Sequence, residues 1–279
     1  MAAVLTSQGI GLTATLVILL LSGEAGPSQA AIVWGTFAGV CGLAGIGFFY
    51  VALARGTMGV IAPFAALIGA GVPVIIAVIG GESVAPGRQV GMGLALVAIV
   101  LISLPNRSRD GSGATSGRGF RSTLADMQLA ILAGLGFAGF FIGVDLASAS
   151  GETWWPLAFV RVSSCAGAIG AFLFLIARHA GPSLMARARD VLGVTRLRAQ
   201  RHNPVVIAVI MLTIGLGDLG GNAFFVLARG ADAFSVAVVL SSLYPVVTTI
   251  LAVILLRERL SPVQLAGAVL ATLSIPLLR

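Results

Sequence analysis

The stretch Phe224–Gly267 reads FFVLARGADAFSVAVVLSSLYPVVTTILAVILLRERLSPVQLAG. Its apolar run is long enough to cross a bilayer, is broken by one proline, Pro245, and ends in the charged turn Arg257-Glu258-Arg259. A weaker copy lies upstream. Leu53-Ala54-Arg55-Gly56 returns as Leu227-Ala228-Arg229-Gly230, and Glu82, Pro86 and Gly91 return as Glu258, Pro262 and Gly267. The step from arginine to glutamate is 27 positions in one copy and 29 in the other, while the glutamate-proline-glycine spacing is identical. A long internal repeat made of spanning segments is the commonest sequence trace of a secondary transporter.

Composition agrees with a lipid solvent. Of 279 residues, 58% are hydrophobic and only 10% charged, well under the usual quarter for a soluble domain. Mean hydropathy is +1.05. The net charge of +7 comes from arginine alone, since lysine is absent. These arginines lie between apolar runs and form no aromatic-interleaved stripe, so they read as orientation signals and not as a nucleic-acid surface. Cys41 and Cys165 fall inside apolar runs and read as small packing residues. No C-x-x-C or histidine-rich spacing suggests a metal site. His179 and His202 sit in a basic loop and read as solvated. No cofactor is expected.

A hydrocarbon core about 30 Å thick needs roughly 20 residues per helix. Runs of that kind fall near 4–22, 31–54, 57–80, 86–105, 126–148, 154–178, 204–227, 231–256 and 262–278. The fold class expected is therefore all-α, a polytopic bundle of nine transmembrane helices arranged as two inverted repeats of four plus five. The first run reads as a retained span, because no basic region precedes it as in a secretory signal. The repeats are expected at 1–105 and 126–279, joined by a flexible Gly/Ser-rich linker at 106–125. A second basic stretch, 179–203, reads either as an amphipathic surface helix or as a solvated loop. Because the span at 154–178 matches 4–22, the run at 126–148 has no counterpart, and the first half is expected to lack its opening helix.

Arginines decide the orientation. The loops at 55–56, 106–125, 178–203 and 257–261 carry 13, the opposite side carries Arg88, Arg229 and Arg279, and Arg161 lies within a span. The positive-inside rule puts the 13 in the cytoplasm, with Met1 inside and Arg279 outside. Five spans per complete half is odd, so the halves enter the membrane in opposite directions, and a solute site is expected near the midplane.

Ionisable groups inside lipid cost roughly 2.5–3.5 kcal/mol each at mid-helix, so each needs a reason. Asp218 is the deepest, and Asn222, four positions on, shares its helix face. The pair is expected either to line a solute cavity or to hold neighbouring helices by hydrogen bonds. Arg161 has two readings: snorkelling to the interface, or pairing with Asp218 or Asp145. Asp145, near a span end, reads as interfacial. Two spans are interrupted, 57–80 by Pro63, Gly69, Gly71 and Pro73, and 231–256 by Pro245. A proline frees a carbonyl for a neighbour or a solute; a packing kink is the other reading. Glu82 and Glu258, just before proline-headed helices, read as structural carboxylates at helix N-termini. Trp154 and Trp155 read as an interface belt. The pairs Gly35/Gly39, Gly139/Gly143 and Gly217/Gly221 read as close helix contacts.

The A-L-A-R-G and L-A-R-G segments, the G-E-S-V-A-P and R-E-R-L-S-P-V-Q-L-A-G turns and Y-P-V-V-T at Tyr244–Thr248 together resemble the EamA-type permeases of the drug/metabolite transporter superfamily. The resemblance covers nearly the whole chain, and Glu258-Arg259-Leu260-Ser261 with Gln264 and Gly267 is its most specific part. It implies ten helices as two inverted five-helix repeats around a central solute cavity, and export or import of small organic molecules, commonly by proton exchange. The chain departs from that pattern in its missing first helix and in an outside C-terminus. The expectation is a multi-pass plasma-membrane transporter and not an enzyme, with the bilayer and a small solute as partners and no nucleic acid. Its expected substrate-binding set is Asp218, Asn222, Arg161, Tyr244, Pro245 and Pro73. The competing expectation is a non-transporting membrane subunit or lipid-carrier component paired with another chain.

Overall fold

In the computed structural model every regular element among the described residues is an α-helix. The structure describes residues 2–55, 58–104, 120–178, 204–231, 233–256 and 260–278. His179, His202, Glu258 with its flanking arginines, most of the 106–125 linker and the 179–203 stretch lie outside the described residues.

The helices are α1 (Ala2–Ser22), α2 (Gln29–Arg55), α3 (Met58–Ile79), α4 (Pro86–Ser103), α5 (Phe120–Ala147), α6 (Trp154–Arg178), α7 (Pro204–Ala231), α8 (Phe234–Ser241), α9 (Tyr244–Leu256) and α10 (Pro262–Leu278). Among the described residues, eight stretches are long and apolar enough to cross a membrane, the eighth running from α8 into α9. The last helix, Pro262–Leu278, has 17 residues. At 1.5 Å per residue it is about 26 Å long, short of the core by an amount that local thinning accommodates.

The run 231–256 is interrupted beside Pro245: α8 ends at Ser241 and α9 starts at Tyr244. Around the break the ladder tightens to three-residue spacing, with Leu243 N–H on the Leu240 carbonyl at 3.2 Å and Val246 N–H on the Leu243 carbonyl at 2.9 Å. Pro245 brings no N–H of its own, so the α-type bond that would span the break cannot form. The interrupted span 57–80 behaves otherwise: α3 stays continuous through Pro63 and Pro73, both buried. The Leu-Ala-Arg segments lie at helix ends: α2 ends at Arg55, and Arg229 lies in the last turn of α7, where a cation favours the carbonyl end of the helix dipole. Finally, α5 begins at Phe120, so the last residues of the expected linker are helical.

The chain forms two compact units. The first holds Met1–Leu43 and Gly143–Leu227, the second Ala44–Ile142 and Ala228–Arg279.

In the first unit α2 and α6 run parallel and almost touch. A Cβ on Gly39 would lie 2.3 Å from the Val160 carbonyl oxygen, and one on Gly35 would lie 2.9 Å from that of Pro156. Only glycine admits this approach, and Ser164 Oγ donates across it to the Gly39 carbonyl at 3.1 Å. Gly143 likewise meets Ala38, its Cβ position 2.8 Å from that of Ala38. Gly217 and Gly221 do not belong to this class, since a Cβ at either would meet nothing within 4 Å.

Carboxylates close the ends of this unit. Glu24, after α1, accepts the N–H groups of Thr153, Trp154 and Trp155 at 3.0–3.3 Å and so caps α6. Trp155 Nε1–H donates to the Ala25 carbonyl. Glu152 accepts from the Ser28 N–H at 2.9 Å and the Ser28 hydroxyl at 2.7 Å at the start of α2.

In the second unit α4 and α10 pack antiparallel through a reciprocal contact. A Cβ on Gly91 would sit 2.9 Å from Leu277 Cβ, and one on Gly267 would sit 2.9 Å from Leu101 Cβ. Adding 176 to Gly91 and Leu101 gives Gly267 and Leu277, so each helix offers its partner the same residue positions. Met92, Ala95, Ile99 and Ile102 of α4, with Val236, Val239 and Leu243 from the α8 region and Ala271 and Leu278 of α10, make the core. The start of α10 is a capping box: Ser261 N–H donates to Gln264 Oε1 at 3.0 Å, and Gln264 N–H donates to Ser261 Oγ at 3.2 Å. Glu82 is a helix-terminal carboxylate as expected, but on a different helix. It accepts the Ser235 N–H at 3.1 Å and the Ser235 hydroxyl, and so caps α8, while Ala85 precedes α4 with no side-chain cap.

Candidate functional site

Two charged residues of the first unit, Arg161 and Asp218, meet within it. α7 is 28 residues long and Asp218 is near its middle. α6 turns Arg161 inward, and α1 supplies Gln8 and Gly11. Arg161 Nη1 donates to Asp218 Oδ2 and, at 3.2 Å, to Gln8 Oε1. The arginine side chain is 2% exposed and the aspartate 45%.

The pairing reading of Arg161 therefore holds, and snorkelling does not. Glu24 ties the end of α1 to the start of α6, so the two helices run antiparallel. Arg161 enters α6 seven residues after Trp154, about 10 Å along it, whereas Gly11 is 11 residues before the end of α1, about 16 Å along. The side chain thus reaches deeper into the bundle than its own Cα. What allows it is the glycine: a Cβ at Gly11 would lie 3.3 Å from Arg161 Cζ and Nε, so the guanidinium lies flat against bare α1 backbone. Gly215 of α7 makes a similar concession, its Cβ position 2.8 Å from Ile10 Cβ.

The pair is electrically lopsided. Arg161 Nε and Nη2 are buried with no hydrogen-bond partner among the described residues. Asp218 is nearly half exposed at the middle of a membrane-length helix. Such a carboxylate is disfavoured against hydrocarbon, so its open side requires water or a polar guest. Asn222, half-buried, stands one turn further along the same helix. The structure thus brings Arg161 and Asp218 into contact.

Pro73, Tyr244 and Pro245 belong to the second unit, where the prolines are buried and Tyr244 is 49% exposed at the start of α9. Asp145, the other partner weighed for Arg161, is half-buried near the end of α5. Gln8 and Gly11 were not in the expected set. Gln8-Gly9-Ile10-Gly11 puts an amide and a missing side chain on one face of α1, a spacing that marks no site by itself.

A family model described as the EamA-like transporter family matches residues 125–279, more than half of the chain. The chain belongs to the EamA-like transporter family. No curated protein matches it. One solved protein structure, 17% identical, superposes with a TM-score of 0.67 over 99% of this chain and 88% of that one, which is a likeness of fold. With eight membrane-length apolar stretches among the described residues, this EamA-like chain is a multi-pass membrane protein of a transporter family.

Proposed function

We propose that the chain moves a small organic solute across the plasma membrane by alternating access, with Asp218, Asn222 and Arg161 at the solute path and Tyr244, Pro245 and Pro73 contributing from the interrupted spans. The observation that carries this reading is the half-exposed Asp218 held at mid-helix by a fully buried arginine. A purely structural ion pair in lipid would be sealed on both sides, because exposure of either charge to hydrocarbon is costly.

Two packing features support the inverted-repeat organisation that alternating access uses. The equivalent positions Gly91 and Gly267 contact equivalent leucines across an antiparallel pair, as a two-fold axis requires. The loop after α1 caps α6, and the loop after α3 caps α8, so each helix ends where its counterpart in the other half begins. On this reading 1–105 and 126–279 are the two repeats, and proton exchange is the coupling to test first.

The test is flux. Proteoliposomes bearing the chain are expected to show saturable counterflow of at least one member of a labelled metabolite and drug panel, above empty vesicles. Asp218→Asn, at matched protein level, is expected to reduce it by about tenfold or more, the scale of one lost charge-assisted contact. Unchanged flux and pH coupling in Asp218→Asn would remove that carboxylate from the mechanism.

A further inference from the structure

We propose that Arg161 recognises a carboxylate on the transported solute and takes it in exchange for Asp218. This rests on the transporter reading above and adds a substrate class to it. Arginine carries five N–H donors, and Nη1 commits its own to Asp218 and Gln8. Nε and Nη2, the edge left over, are buried and have no partner among the described residues. That edge presents two parallel N–H bonds at the spacing of the two oxygens of a carboxylate, a match that neither a point anion nor an amide reproduces. Gly11 lies against the face of the guanidinium, so the fork is held in one plane.

The unequal burial of the pair sets the direction of exchange. Asp218, 45% exposed, is hydrated when it lets go. Arg161, 2% exposed, is not, and must keep an anion. A solute carboxylate therefore replaces Asp218 at the arginine while the displaced carboxylate turns to water, and the buried charge stays neutralised throughout. The edge is closed over in the conformation described here, so the exchange belongs to the opening step of transport.

The full chain in nanodiscs is unfolded thermally with sodium acetate, propionate, hexanoate and benzoate, each against its primary amide and against sodium chloride at equal ionic strength. At least one acid is expected to raise the unfolding temperature saturably, with its amide and chloride inert. Arg161→Lys keeps the charge but loses the fork, and is expected to weaken the apparent affinity about tenfold or more. Asp218→Asn removes the internal competitor and is expected to tighten it about as much. Equal action by amides, no action by any acid, or an affinity indifferent to Arg161→Lys overturns the proposal. Should the lysine variant not fold, an affinity that fails to rise in Asp218→Asn does the same. Saturable vesicle flux of an uncharged solute with no acid acting sinks the carboxylate and leaves the transporter reading standing. Acid binding with no flux of any solute sinks the transporter reading instead.

Discussion

Arg161 and Asp218 share a hydrogen bond but not an environment, and that difference predicts what each contributes to stability. Deleting Asp218 strands a cation that is 2% exposed beside a neutral glutamine. Deleting Arg161 leaves a carboxylate that is already 45% exposed and takes up water. Asp218→Leu is therefore expected to destabilise the chain by about 3–5 kcal/mol, the usual cost of orphaning one member of a buried pair, and Arg161→Leu by clearly less. Unfolding in detergent, followed by tryptophan fluorescence, ranks the two; the reverse order would mean that Asp218 is the more confined partner. Both charges were legible in the sequence because an ionisable group inside an apolar run is anomalous by itself. Gln8 was not, since an uncharged amide near the start of a run raises no such alarm. Its role depends on the glycine three residues later and on an arginine 153 positions away.

Helices are the scale at which one-dimensional reading works best, because crossing lipid is a demand on length and hydropathy alone. Each expected span contains a helix, and the interruption marked at Pro245 in 231–256 falls where α8 gives way to α9. Helix contacts were less legible, because a small-xxx-small spacing says that an approach is possible and not that a neighbour is there. Gly39 and Gly217 occupy the same kind of motif, yet one faces α6 backbone and the other open space. Gly39→Ala should cost about 1–3 kcal/mol through forced separation of α2 and α6, with Gly217→Ala near neutral in the same unfolding assay. The glutamates show the same limit. Glu82 was identified as a helix-terminal carboxylate from its place in a turn, but which terminus it serves is decided by tertiary contact with Ser235. Glu82→Ala is expected to cost about 0.5–2 kcal/mol, and Glu82→Gln less, because the amide oxygen still accepts the Ser235 N–H. Equal losses in the two variants would assign the effect to charge and not to the cap.

For the whole chain the open quantity is sidedness, and it follows from where charges are used rather than how many there are. Thirteen arginines fall in the loops assigned to the cytoplasm and three on the opposite side. Three acids of that opposite side, Glu24, Glu152 and Glu82, accept N–H groups at the starts of α6, α2 and α8, binding local helix dipoles and leaving the arginine bias intact. Acidic residues also weigh little in orientation, so the bias should rule. In a background with Cys41 and Cys165 changed to alanine, Arg279→Cys is expected to react with a membrane-impermeant maleimide in intact cells. Ser112→Cys, in the loop between α4 and α5, is expected to react only after permeabilisation. The opposite pattern would invert the molecule while preserving every contact described above.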